Sequence, residues 1–372
     1  MLNTREKIIN SSIELFSSKP FENVSIFEIC KNANVSNGII YKYFRNKEEI
    51  YKFLLSEIIL RINSHLSKIE GENIEERLKD FVRKNLELTK KEFKLIKIYR
   101  HGQYKFLEYE KMIQKVYNKS LESVYRRKLK AIEKFYILSI IRHINIYYTT
   151  KDIDPDLDFL IKSLMYGFLY KSKKVNLELD KRIFYLRVPV NSSNIKYKIL
   201  SAGTEILTSR EYSSVKITDI TKKAGISAGA FYIYFKNKES FLDSVILNIR
   251  KQVMFFLKDN FNPNYTALDN HILFLYLLFE YYKDSYFKYK LIREMELINN
   301  KIYEMFIDKD IEFYLETLDD IKHNLKDKEL IAVMLLGISH YMGIEFFYTK
   351  QFKNRNTFLD EIRFFIQNGV EK

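Results

Sequence analysis

The chain has 372 residues, of which 47% are hydrophobic and 30% charged, and its 62 Lys+Arg against 48 Asp+Glu give a formal net charge of +14 at pH 7. This length accommodates two domains of ordinary size, each able to bury a core. A single cysteine, Cys30, excludes an internal disulfide framework and any multi-cysteine metal site and suits a reducing cytoplasm. No Gly-rich phosphate loop, H-E-x-x-H or G-x-S-x-G segment supports an enzyme or a cofactor site.

Ten Gly and four Pro against abundant Ile, Leu, Phe, Tyr, Lys and Glu predict an all-α protein. The chain opens without the charged-then-apolar segment of an export signal. Residues 1–51 read as three short helices and the start of a fourth. Thr4 is placed to cap a first helix, in which Ile8, Ile9, Ser12, Ile13, Leu15 and Phe16 recur at helical spacing before Pro20. Ser25 and Glu28 form an S-x-x-E capping box for a second helix carrying Ile29 and Cys30 inward, and Cys30 reads as a buried structural thiol. Residues 32–35 make a turn, and Ser36 caps a third helix over 37–44.

On that third helix Ile40 and Phe44 face the core, and Asn37, Ile39, Tyr41, Lys42 and Tyr43 face outward. A short helix with such a face fits a DNA major groove, while polar groups at helix ends fix its register on phosphates. Asn46 caps the next helix, placing Lys47 and free backbone N–H groups to meet a phosphate, and the Tyr41 hydroxyl is placed to do the same.

Residues 52–173 carry helical patterns at about 47–69, 74–100, 103–135, 137–150 and 156–172. Residues 174–194, with Pro189 and the Asn- and Ser-rich stretch 191–194, read as a linker. Residues 195–242 then restate the opening segment at a separation of 191. Ile8 returns as Ile199, Ile29 as Ile220, Gly38 as Gly229, Tyr41 as Tyr232, Tyr43-Phe44 as Tyr234-Phe235 and Asn46-Lys47 as Asn237-Lys238. The copies differ where readout would occur. Asn37 and Lys42 become Ala228 and Ile233, which touch a thymine methyl but donate no hydrogen bond. Ser25 becomes Lys216, removing the cap of the second helix, and Lys222, Lys223, Lys236 and Lys238 gather in the second copy.

Residues 243–372 continue with patterns at about 238–258, 266–282, 285–298, 300–322, 327–349 and 355–368. The stretch 330–348 is as long as a membrane span, but Ser339, His340 and Glu345 interrupt it and favour a helix buried inside protein. Phe358, Leu359, Ile362, Phe365 and Ile366 form one stripe closed by Gly369. Charge is uneven: +1 over residues 1–51, +12 over 52–190, +4 over 191–242 and −3 over 243–372.

The segments NVSNGIIYKYFRNKEEI and GISAGAFYIYFKNKESF resemble the helix-turn-helix of the TetR/AcrR family of bacterial transcriptional regulators, over about 48 residues twice. The resemblance implies that Ser36, Asn37, Ile39, Lys42 and Tyr43 line the groove while Tyr41 and Lys47 hold the backbone of double-stranded DNA. In the second copy the matching positions are Ser227, Ala228, Ala230, Ile233 and Tyr234, then Tyr232 and Lys238. It also implies two TetR-like halves: a head at 1–51 with a helical regulatory region at 52–173, and a head at 195–242 with a regulatory and interface region at 243–372. A cytoplasmic repressor released by a small apolar or aromatic effector is the expected function. A ligand-independent architectural DNA-binding protein, or an interaction scaffold with vestigial heads, is the alternative.

By the same resemblance the last two helices of a half form a four-helix dimer interface. The second half offers 326–349 and 356–368; the first offers 156–173 and no clear second helix. The two halves are expected to pack as an internal pseudo-dimer, the basic and acidic regions attracting each other, with pairing of two chains as the alternative. Tyr99, His101, Tyr104 and Phe106 in the first half, and His271, Phe274, Tyr276 and Tyr281 in the second, are candidates to line an effector pocket.

Overall fold

Hydrogen-bonded helix ends set most element boundaries in this chain. The computed structural model describes residues 3–102, 105–169, 194–209, 212–284, 286–319 and 321–371, with Leu177, Leu179 and Phe184. Among them are eighteen α-helices and no strand. The first head comprises α1 (Thr4–Phe16), a 3-10 turn (Phe21–Asn23), α2 (Ile26–Ala33) and α3 (Asn37–Ile40). Next come α4 (Lys47–His65), α5 (Ile74–Lys91), α6 (Phe93–Gly102), α7 (Leu107–Tyr125), α8 (Ala131–Lys151) and α9 (Leu157–Tyr166). The second head has α10 (Ile195–Leu207), a 3-10 turn (Tyr212–Ser214), α11 (Ile217–Ala224) and α12 (Ala228–Tyr234). It is followed by α13 (Lys238–Asn260), α14 (Ala267–Tyr282), α15 (Tyr286–Ile298), α16 (Asn300–Glu316), α17 (Leu325–Gly343), a π-helical turn (Ile344–Tyr348) and α18 (Arg355–Asn368).

Several boundaries differ from the sequence pattern. Asn3, not Thr4, caps α1, in a reciprocal box with Glu6. Ser25 caps α2, accepting from the Glu28 N–H at 3.1 Å, but the Glu28 carboxylate is held by Lys19 instead of turning back. The continuous pattern 103–135 is broken after Tyr125, where Arg126 takes a left-handed φ of 51°, so α8 begins at Ala131. Apolar residues continue at helical spacing across that break, which periodicity therefore does not register.

The chain divides into two compact units, Met1–Lys171 with Ile307–Lys372, and Ser172–Phe306. Residues 243–372 are thus distributed over both. In the second unit α10 packs on α11 and α13, and α13 on α14 and α15. The two heads solve one packing problem with different volumes. Ser12 and Ile50 of the first correspond to Gly203 and Phe241 of the second, and a Cβ built on Gly203 would lie 2.0 Å from the Phe241 ring. Phe231, Phe235 and Phe241 cluster with centroids 5.1–5.4 Å apart; the larger rings fill what the missing side chain vacates.

In the first unit α17 is buried against α8, and α18 packs on α8 and α9. The helical stretch Leu325–Tyr348 is long and apolar enough to cross a membrane, yet 83% of its apolar window is buried in protein. The helices cross where α17 offers Gly337, whose added Cβ would lie 2.8 Å from the Ser139 carbonyl oxygen and 2.9 Å from His143 Cβ. Beside the crossing the His143 and His340 rings lie 5.1 Å apart. The ends of α9 and α18 are strapped reciprocally. Phe168 N–H donates to the Ile366 carbonyl at 2.9 Å, and Val370 N–H donates to the Leu164 carbonyl at 3.1 Å. Gly167 (φ 85°) and Gly369 (φ 65°) each lie against the other's strand of backbone, where a Cβ would come within 2.3 Å and 2.1 Å of main-chain atoms. Helices α8, α9, α17 and α18 thus pack together within the first unit, and the helix that accompanies α9 there is α8, which precedes it in the chain. Lys151 at the end of α8 pairs with Asp308 of α16 at 2.7 Å.

Candidate functional site

Each head turns between its second and third helices through a residue in left-handed conformation, Asn34 (φ 54°) in one and Gly225 (φ 67°) in the other. Both residue types tolerate that conformation. The third helices then differ. In the second head Ser227 accepts from the Ala230 N–H at 3.2 Å and α12 is regular through Tyr234. In the first head Ser36 stands at the cap position without a side-chain bond, and regular helix ends at Ile40. Residues 41–44 follow as tighter turns, with Lys42 N–H bonded to the Ile39 carbonyl at 3.1 Å and Tyr43 N–H to Ile40 at 2.9 Å. The helix expected over 37–44 is thus shorter, consistent with Gly38 and the β-branched pair Ile39-Ile40 weakening it.

Ser36, Asn37, Tyr41, Lys42 and Tyr43 are exposed and Ile39 is half-buried, while Ile40 and Phe44 are buried. Ser227, Ala228, Tyr232, Ile233 and Tyr234 are exposed, Ala230 is half-buried, and Phe231 and Phe235 are buried. Tyr41 and Tyr232 keep 59% and 55% of their surface, and Ile233 keeps 79%.

Lys47 and Lys238 are placed otherwise than as outward clamps. The Lys47 ammonium donates to the carbonyls of Phe21 (2.9 Å), Glu22 (3.2 Å) and Val24 (2.9 Å) and lies 4.5 Å from the Phe21 ring centre. Lys238 repeats the arrangement, donating to the Tyr212 carbonyl at 2.8 Å over the Tyr212 ring at 4.1 Å. Burial lowers the affinity of both amines for their proton. Each lysine ties the first turn of the fourth helix to the 3-10 turn ahead of the second. In the second head the Lys216 N–H finds the Asp219 carboxylate at 3.1 Å, so α11 retains half of a capping arrangement despite losing the Ser. Cys30 is buried, and burial pushes its thiol up.

A cavity of about 140 Å³ lies between α7, α8 and the α17 end, lined among others by Glu110, Tyr117, Phe135, Arg142, Tyr341 and Glu345. Glu110 accepts from the Tyr99 hydroxyl and from Gln114 (3.3 Å), and its carboxylate is 3.8 Å from the Arg142 guanidinium. Burial, with Glu110 beside it, holds the Tyr99 hydroxyl well above the usual phenol range, and burial pushes Tyr117 up to about 12. Burial also pushes Glu345 up to about 7, with Glu110 adding to the shift and the Thr349 hydrogen bond and Arg142 opposing it.

Of the eight pocket candidates from sequence, Tyr104 lies outside the described residues, and none of the others lines this cavity. Tyr99 reaches it through Glu110. His101 is half-buried on α6. Phe106 packs with Phe21, Tyr51 and Tyr109 where head meets α4 and α7. His271, Phe274, Tyr276 and Tyr281 are buried in α14; burial lowers His271 to about 3, keeping it neutral, and the Tyr281 hydroxyl donates to Gln252 at 3.0 Å. Sequence reasoning missed Glu110, Arg142 and Glu345. Their signal was a charge inside an apolar run, as in ILSIIRHINI, and it identifies no partner.

These two heads define a helix-turn-helix protein with its reading unit in duplicate. The sequence profile described as bacterial regulatory proteins, tetR family, matches residues 8–53 and again 199–245. Both head segments thus match that family's DNA-binding region, in tandem. It is 30% identical over 100 residues to the Bacillus subtilis HTH-type transcriptional regulator YvdT, covering 26% of this chain and 52% of that protein. It is 38% identical over 48 residues to IcaR, the negative regulator of a biofilm operon in Staphylococcus epidermidis, covering 13% of this chain and 26% of that protein. The chain therefore spans about half or less of the length of these relatives. A putative fatty acid metabolism regulator of Clostridium perfringens aligns in structure with a TM-score of 0.36 at 19% identity, over 42% of this chain and 93% of that one.

Proposed function

We propose that this chain is a cytoplasmic transcriptional regulator, acting as a repressor, that binds one double-stranded operator through both of its heads and is released by a small molecule. The reciprocal strap between α9 and α18 supports this reading most: one polypeptide supplies both sides of an interface that is closed on itself. The two heads read unequal half-sites. Asn37 and Lys42 offer hydrogen bonds to base edges, whereas Ala228 and Ile233 offer only apolar contact. Tyr41 and Tyr232 contact phosphates, and Lys47 and Lys238 act by fixing the geometry of each head. The effector must bind better to the state that fits DNA less well, since equal affinity shifts nothing.

The test is selection of binding fragments from the source genome, followed by gel shift of the full chain and two variants. Asn37→Ala with Lys42→Ala is expected to relax specificity in one half-site, each lost base contact weakening binding by about tenfold or more. Ala228→Ser is expected to change little. Binding that is salt-sensitive but shows no preferred sequence contradicts the regulator reading.

A further inference from the structure

Ile233 keeps 79% of its surface, the largest fraction of any large apolar side chain among the described residues. It stands on the outward side of α12, at the position held by the exposed Lys42 in the first head. Gly229 lies one helical turn before it, on the same face. A Cβ built on Gly229 would meet only Ser227 Oγ, at 3.8 Å, and one built on the matching Gly38 would meet nothing within 4 Å. Neither glycine takes a left-handed φ. Glycine weakens a helix relative to alanine, and neither the backbone nor the packing of either head calls for it here. What it leaves is a helix surface that an outside body can approach closely. Ala228 and Ala230 flank Gly229 and carry methyl groups alone. Tyr232 and Tyr234 recur in the first head as Tyr41 and Tyr43 and so do not distinguish the two. Lys222 and Lys236 are exposed on the same head, and residues 191–242 carry a charge of +4. An apolar point on a cationic head suits a DNA major groove, where thymine methyl groups line the floor and phosphates the edges. A second copy of the same basic head would be repelled.

We infer, resting on the operator-binding reading above, that the second head recognises its half-site through C5 methyl groups in the major groove. Ile233 is the specificity-determining residue, and Gly229 lets the helix come close enough for Ile233 to cover a methyl. The group recognised is the methyl and not the hydrogen-bonding edge of the base, because Ile233 neither donates nor accepts. Thymine and 5-methylcytosine therefore present this head with the same feature, and uracil and cytosine lack it. In the first head Lys42 offers an ammonium at the matching position, which selects acceptors such as guanine O6 and N7. That half-site depends on the methyl less.

Gel shift of the full chain on its selected genomic site tests this, with the thymines of one half replaced by uracil and then those of the other. Uracil differs from thymine only by the missing methyl. A loss of about fourfold for each contacted methyl is expected in one half, and a smaller loss in the other. Ile233→Ala is expected to bind the thymine site more weakly and no longer to distinguish uracil there, a coupling that a merely structural role for Ile233 would not produce. At the sensitive steps, 5-methylcytosine paired with guanine is expected to bind more tightly than cytosine. Gly229→Leu is expected to leave the unfolding midpoint unchanged or raised while weakening DNA binding by about tenfold or more. Equal affinity for thymine and uracil in both halves, or a uracil effect that survives Ile233→Ala, overturns the proposal; the uracil series on unaltered protein decides the first of these even if a variant misfolds. A preferred site that is indifferent to uracil discards this readout alone, and the absence of any preferred site discards the operator-binding reading with it.

Discussion

Lys47 and Lys238 show how one residue type at matched positions acquires a role that sequence alone does not reveal. Their place at the start of a capped helix was legible, and it pointed toward phosphate. The carbonyls that take the Lys47 ammonium belong to residues 21–24, a segment whose fold depends on tertiary packing. Lys47→Met is expected to destabilise the first head by about 1–3 kcal/mol, read as a lower unfolding midpoint with far-UV signal otherwise unchanged; an unchanged midpoint would return this lysine to a pure DNA role. Glu345 makes a pH prediction. Its folded affinity for the proton is raised from the model-peptide value of 4.5 to about 7, so native protein holds this proton over a range where the unfolded chain has released it. The associated stability is fully present below about 4.5 and is lost as pH rises through about 7, amounting to roughly 3 kcal/mol. Urea midpoints measured across that range should fall less steeply for Glu345→Gln.

At the scale of elements, the heads were legible because every determinant is local: caps, apolar spacing and a left-handed turn residue lie within fifty positions of one another. The cavity was not, since Glu110, Arg142 and Glu345 come from three separated segments and meet only through the α8–α17 crossing. The packing of α9 was obscured for a related reason. The α9 helix is short, Leu157–Tyr166, and gains its meaning from α18, which lies two hundred residues away. Gly337→Ala must push α8 and α17 apart at a contact made by backbone, so it is expected to cost about 1–3 kcal/mol. Gly167→Ala and Gly369→Ala each force a left-handed φ and a main-chain clash, and the reciprocal strap predicts closely similar losses for the two. A large loss for one and none for the other, measured by denaturant unfolding, would show that the strap is not symmetric in energy.

For the whole molecule, the proposed reading is that tandem duplication puts the paired halves of a regulator inside one chain. Covalent linkage would then fix the partners at an effective concentration independent of protein concentration, and duplication permits the copies to diverge. Divergence is visible in the apolar outer face of α12 and in the larger rings of the second head core. An assembly made of identical subunits repeats its reading surface; this chain is free to differ there. The expectation is asymmetric: unequal half-sites.

The measurement that bears most directly on this account is the mass of the complex formed on a genomic site selected by the protein, combined with a footprint of that site. One chain protecting a single discrete site with two unequal halves is the result the account predicts. Two chains on one site, with four protected segments, would contradict it and place the functional interface between copies.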